Sequence, residues 1–174
     1  MPSNHRFRAV VFDLDGTLID SAPDIADAIN MVMAELGRVG FTDTKVRDMV
    51  GTGWAGLLDR AMEMTGGMPD EGLEWLNDRF RAHYVPRSTR LSSVYPTAMQ
   101  TIKDLHGDGV ALGICTNKRQ IATDIIVTEF GLRPYMGAVV GGDTGVMKPD
   151  PQHIAVVLDK LGVAASDAVM IGDS

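Results

Sequence analysis

Asp13, Asp15, Thr116, Asn117, Lys148 and Asp173 are the residue types that could move a phosphoryl group. A carboxylate can attack phosphorus, but it meets a phosphate dianion that repels it, so cations must stand nearby. Asp13, Asp15 and Asp173 offer hard oxygen ligands of the kind Mg²⁺ prefers, and Lys148 brings a second positive charge. The Thr116 hydroxyl can donate to a phosphate oxygen, and N–H groups near Asn117, at a helix start, can hold others. Taken singly, each has a plainer reading: Asp-x-Asp as an acidic turn, Thr116 or Asn117 as a helix cap, Lys148 as a solvated loop charge, Asp173 as a turn residue. What sets them apart is position, because each follows an apolar run that reads as a strand.

The first run is Ala9 to Phe12, mostly β-branched or aromatic and closed by Asp13, as suits a strand covered on both faces. Val110 to Thr116, Ala138 to Val140 and Ala168 to Ile171 repeat the pattern, ending at Thr116-Asn117, Gly141-Gly142-Asp143 and Gly172-Asp173-Ser174. Between them, helical spacing links Ala98, Met99, Ile102 and Leu105, then Ile121, Ala122, Ile125 and Ile126, then Ile154, Val157, Leu158 and Leu161. Thr97 with Gln100 has capping spacing, and Gly131 and Gly162 stop their helices. Strands alternating with crossover helices predict an α/β fold with a parallel sheet. The strand ends then share one edge, the edge where open α/β sheets bind ligands.

The stretch between the first two strands reads differently. Ser21 and Asp24 have capping-box-like spacing ahead of Ile25, Ile29, Val32, Met33 and Leu36. Further helical sets follow at Trp54, Leu57, Leu58, Ala61 and Met62, and at Leu73, Leu76, Phe80 and Tyr84. This block is too long for an ordinary connection and is expected to be an inserted helical domain, residues 20–92, able to act as a lid. Residues 1–19 and 93–174 would form the core, with Pro86 to Pro96 as the returning linker.

Bulk composition is that of a globular chain, 45% hydrophobic and 22% charged, and no apolar run approaches the roughly 20 residues that span a bilayer. A net charge of −7 argues against nucleic-acid binding. The start, MPSNHRFRAVVF, lacks a signal-peptide pattern, and the single cysteine, Cys115, excludes an internal disulfide. A cytoplasmic protein with no membrane or nucleic-acid partner is expected, its partner being a small phosphorylated metabolite.

The runs DLDGT at Asp13 to Thr17, TN at Thr116, KPDP at Lys148 and GDS at Gly172 resemble the four motifs of the haloacid dehalogenase (HAD) superfamily. The resemblance covers nearly the whole chain and implies a Rossmann-like core with a helical, C1-type cap after the first strand. It implies Asp13 as nucleophile and Mg²⁺ ligand, and Asp15 as general acid and base with its backbone carbonyl also on the metal. It further implies Thr116 as a phosphate binder, Lys148 as the neutralising cation and Asp173 as the remaining metal ligand. An acid at position 15 favours phosphatase chemistry over dehalogenation, since one carboxyl can protonate the leaving alkoxide and then deprotonate water.

Within the insert, Arg47 to Leu57 resembles the cap loop of the phosphoglycolate phosphatase group, and GGDT at Gly141 to Thr144 suits that group too. Arg47, Gly51 and Gly53 are thereby candidates for substrate binding, with Lys45 beside them; a Gly-rich turn before a helix is the alternative. The expected reaction is Mg²⁺-dependent hydrolysis of a small phosphate ester, with 2-phosphoglycolate the first choice. A sugar phosphomutase of the same fold, which often has Val where this chain has Thr17, is the alternative, followed by a phospho-receiver module or an inactive fragment. The superfamily's fourth motif normally continues to a second acid, another strand and a helix, whereas this chain stops at Ser174. A core lacking its C-terminal part, with weak or no activity, is the expectation.

Overall fold

The structure is a computed structural model and describes residues 6–173, so the first five residues and the Ser174 of the GDS run lie outside the described residues. In chain order the elements are β1 (Ala9–Phe12), β2 (Ile19–Asp20), α1 (Ala22–Glu35), α2 (Asp43–Arg47), α3 (Gly53–Met64), α4 (Gly72–Tyr84), β3 (Ser93–Val94), α5 (Ala98–Gly107), β4 (Ala111–Cys115), α6 (Gln120–Glu129), β5 (Ala138–Val140), α7 (Pro151–Leu161) and β6 (Ala168–Ile171). They fall into two compact units, one of Met1–Asp20 with Ser93–Ser174 and one of Ser21–Ser92. Among the described residues, no helix is long and apolar enough to cross a membrane.

The first unit is built on a parallel sheet of four strands in the order β5-β4-β1-β6. Alternation along β1 sends Val10 and Phe12 into one core, with Ile102, Leu112, Ile114 and Ile126, and Val11 into the other, with Val140, Val157 and Leu158. Helices therefore cover both faces, which is why β1 is apolar at every position rather than at every second one. The register pairs Phe12 with Ile114 and Ile171, and Cys115 with Val140, so the residues after each strand emerge level with one another. Cys115 is buried, and burial pushes its thiol up to about 11, so it serves as a small protonated core residue.

Two features of this unit depart from the sequence reading. Ile19–Asp20 and Ser93–Val94 pair as a short antiparallel ribbon where a plain linker was expected. Thr97 occupies the N-cap of α5 without a side-chain capping bond, and Gln100 instead donates to Asp104 one turn on.

In the second unit α1 packs on α4 and α2, and α3 packs on α4. Trp54 meets Phe80 and Tyr84 edge-on, with ring centroids 5.3 and 5.7 Å away, and the last two rings stack. Ser21 does not cap α1 with its side chain. Its expected partner Asp24 instead accepts hydrogen bonds from Leu91 N, Ser92 N and the Ser92 hydroxyl, tying the first turn of α1 to the far end of the unit. A carboxylate buried to 1% exposure needs such donors, and a capping box supplies fewer of them.

Glu35 fastens α1 to α4 by accepting from Arg79 and meeting His83 Nε2 at 2.8 Å. The Arg79 hydrogen bond, with a smaller part from His83, holds the Glu35 carboxyl at about 2 against an ordinary 4.5. A carboxyl depressed in this way stabilises the fold above its unfolded pKa and stops doing so as pH falls through the folded one. The native protein should therefore melt higher than Glu35→Gln near neutral pH, with the gap shrinking between about 4.5 and about 2. Thermal melts across that range check this, and a gap unchanged at the acid end would contradict it.

Candidate active site

Asp13 continues the ladder one residue past β1, its N–H donating to the Ile171 carbonyl at 2.8 Å. That bond leaves its carboxyl at the sheet edge but only 5% exposed. One carboxylate oxygen accepts from Leu14 N at 2.7 Å, and the other pairs with the Lys148 ammonium. The chain then turns tightly, with Leu18 N and Ile19 N both donating to the Leu14 carbonyl and Gly16 N to that of Ile19. Gly16 takes φ of +79°, open to glycine at no steric cost, and a side chain there would run into the Asp173 carboxylate. Thr17 closes the contact, its hydroxyl donating to Asp173 Oδ1 at 3.0 Å. Asp13, the Asp15 backbone and Asp173 thus share one turn, brought there by adjacent strands.

Thr116 follows β4 and is 1% exposed. Its N–H donates to the Val140 carbonyl at 3.1 Å and its hydroxyl oxygen accepts from Lys118 N at 3.2 Å, which leaves the hydroxyl proton able to donate. Asn117 has a use for its side chain that the sequence did not reveal. Its side chain clamps the Lys148 backbone, Oδ1 accepting from Lys148 N at 2.8 Å and Nδ2 donating to Lys148 O at 3.1 Å, so the amide group positions the lysine instead of facing a substrate. It also lies ahead of α6, whose N-cap is Arg119. The Lys148–Pro149 peptide is cis, and Asp150 caps α7 by accepting from Gln152 N.

The GGDT run proves to be a brace. Gly142 N donates to the Lys118 carbonyl, Gly141 N to the Gln120 side chain, and Asp143 accepts from Gln120 N. Any Cβ at Gly141 or Gly142 would strike the backbone of residues 117–120, so glycine here permits the close approach of the loops after β4 and β5. His153, 1% exposed on α7, sets its Nε2 3.2 Å from the Gly141 carbonyl. Burial pushes its imidazole pKa down, so it stays neutral and donates from Nε2.

Sequence reasoning missed Lys118. Its ammonium lies 2.9 Å from both oxygens of Asp15, with its side chain 1% exposed and that of Asp15 12%. A signal was present: several acids at one sheet edge against Lys148 alone leave charge unbalanced, and the next residue after Thr116-Asn117 is a lysine. Arg47 closes α2, and Gly51 and Gly53 follow with φ of +116° and +76° in the helical unit, with Lys45 on the same short helix.

A model of the haloacid dehalogenase-like hydrolase family matches residues 7–174. This chain belongs to that family. It is an enzyme of the hydrolase class, and its relatives carry phosphatase names. A phosphoglycolate phosphatase of Rhodospirillum rubrum is 40% identical over 173 residues, spanning 96% of this chain and 72% of that protein. One from Cereibacter sphaeroides is 39% identical over 167 residues, spanning 95% and 76%. A crystal structure described as a predicted phosphoglycolate phosphatase from Haemophilus somnus superposes with a TM-score of 0.91 at 26% identity, covering 98% of this chain and 78% of that one.

Phosphatases of the haloacid dehalogenase family generally use Mg²⁺, and the donor set here suits it. The Asp13 and Asp173 carboxylates and the Asp15 carbonyl are hard oxygens around one turn, with Gly16 leaving the space that the Asp173 carboxylate occupies. The Asp15 carboxylate is turned to Lys118, and a metal would be met by the Asp15 carbonyl instead.

Proposed function

We propose that the protein is a Mg²⁺-dependent phosphatase of small phosphorylated metabolites, acting through an aspartyl-phosphate on Asp13, with 2-phosphoglycolate as substrate. The observation that carries this reading is the pairing of the buried Asp13 carboxylate with Lys148, which lets a carboxylate face a phosphate dianion. In the first step an Asp13 oxygen attacks phosphorus while the ester P–O bond breaks, and Asp15 gives its proton to the leaving alkoxide. In the second, water attacks phosphorus, Asp15 takes its proton, and the bond from Asp13 to phosphorus breaks to release phosphate. Thr116 donates to a phosphate oxygen throughout, and Lys148 offsets charge on Asp13 and the phosphoryl group. The Asp13 and Asp173 carboxylates and the Asp15 carbonyl would hold Mg²⁺, which supplies further positive charge for the phosphoryl oxygens.

The substrate rests on the names of the relatives from R. rubrum and C. sphaeroides. We assign the choice among substrates to Arg47 and the Gly51 to Gly53 turn of the helical unit. A panel of phosphate monoesters, assayed with Mg²⁺ and with EDTA, tests the reading. The highest kcat/KM is expected for 2-phosphoglycolate, with release of phosphate lost in EDTA. Isomerised sugar phosphate without release would point to a mutase, and a stable phosphoprotein without release to a receiver.

A further inference from the structure

We propose that Lys118 is the positioning residue that aims Asp15 at the leaving group, an inference that rests on the phosphatase reading above. The lysine is anchored at both ends. Its N–H donates to the Thr116 hydroxyl oxygen, and its carbonyl accepts from Gly142 N at 2.9 Å, so its backbone is pinned between the loops that follow β4 and β5. Its ammonium then crosses to the turn after β1 and meets both Asp15 oxygens at 2.9 Å. An ammonium so deeply buried is costly without a partner, which makes this pair unlike a surface salt bridge free to open in water.

The chemistry of the pair gives it direction. An ammonium has three donors and no acceptor. When Asp15 carries the proton destined for the leaving oxygen, that proton gains nothing by facing Lys118. The ammonium keeps the unprotonated oxygen, and the O–H is left on the oxygen turned away from Lys118. After the alkoxide has taken the proton, both oxygens of Asp15 return to the ammonium, and either can receive the proton of the attacking water. Lys118 touches neither the phosphoryl group nor the leaving oxygen in this account; it fixes the plane of the carboxyl that exchanges the proton.

A general acid matters only for leaving groups that need a proton. An alkyl phosphate expels a strongly basic alkoxide, whereas 4-nitrophenyl phosphate expels a stable phenolate. Lys118→Met should therefore slow the first-turnover release of alcohol from an alkyl phosphate by about 10²-fold, and should leave the first-turnover release of 4-nitrophenolate, which needs no proton, within about threefold, with the later attack of water slowed alike for both esters. Lys118→Arg should restore part of the alkyl rate, since a guanidinium can again hold both oxygens. In an Asp15→Asn background, adding Lys118→Met should slow the alkyl reaction no further, because the group it orients has gone. Should Lys118→Met fail to fold, as judged by circular dichroism, the double variant buries no lone charge and is read against Asp15→Asn. Equal losses in first-turnover release from both esters, or a full additional loss in the Asp15→Asn background, would overturn the inference. Its failure is separable from that of the phosphatase reading, which falls if the native protein releases no phosphate from these esters or if Asp13→Asn still hydrolyses them.

Discussion

Asp13→Asn is expected to abolish turnover, with kcat falling by at least about 10⁴-fold, as for removal of other covalent nucleophiles. The substitution keeps the shape of the side chain and leaves an oxygen able to accept from Leu14 N, now 2.7 Å away. It removes the lone pair that forms the bond to phosphorus. It also removes a negative charge that opposes the phosphate dianion, so inorganic phosphate should bind the variant at least as tightly as the native protein. Steady-state assays with isothermal titration of phosphate check both halves. Loss of binding together with rate would mean that Asp13 organises the site without attacking.

Lys148→Met should cost nearly as much. At about 4 Å and an effective dielectric near 20, one unit charge is worth about 4 kcal/mol. Taken from the transition state, that corresponds to a fall of about 10³-fold in kcat/KM. Stability should fall as well, because Asp13 would keep a buried carboxylate stripped of its cation, and breaking such pairs costs about 3–5 kcal/mol. Denaturant titration beside the kinetics separates the effects: Asp13→Asn/Lys148→Met should recover stability without recovering activity. A Lys148→Met protein with native kcat/KM would remove the lysine from the mechanism.

The sheet was legible in the sequence because its strands are short apolar runs closed by turn residues, and β1, β4, β5 and β6 all lie where those runs stand. The ribbon of β2 and β3 was not, since two residues on each side carry no periodicity. Asp24 shows a second limit. Its spacing from Ser21 mimics a capping box, and nothing local reveals donors at Leu91 and Ser92, so far along the chain.

The site divides in the same way. Asp13 and Lys148 could be placed at one sheet edge because both follow strands, and their side chains are in contact. Asn117 was read as standing at a helix start with N–H groups for a phosphate, whereas the N-cap of α6 is Arg119 and the Asn117 amide is used on the Lys148 backbone. Lys118 was overlooked because lysine is ordinarily a surface residue. Its burial depends on Asp15 in another strand's loop and on glycines 141 and 142, whose missing side chains let the neighbouring loop close over its backbone.

The central claim is a double displacement through Asp13, and the stereochemical course at phosphorus tests it most directly. The substrate is a phosphate monoester made chiral with three oxygen isotopes, and the configuration of a product formed by transfer to an acceptor, or of thiophosphate released from the thio analogue, is read by ³¹P NMR. Each in-line attack inverts phosphorus, so passage through an aspartyl-phosphate predicts overall retention. Net inversion would show that water, and not Asp13, attacks the substrate, and would contradict the account.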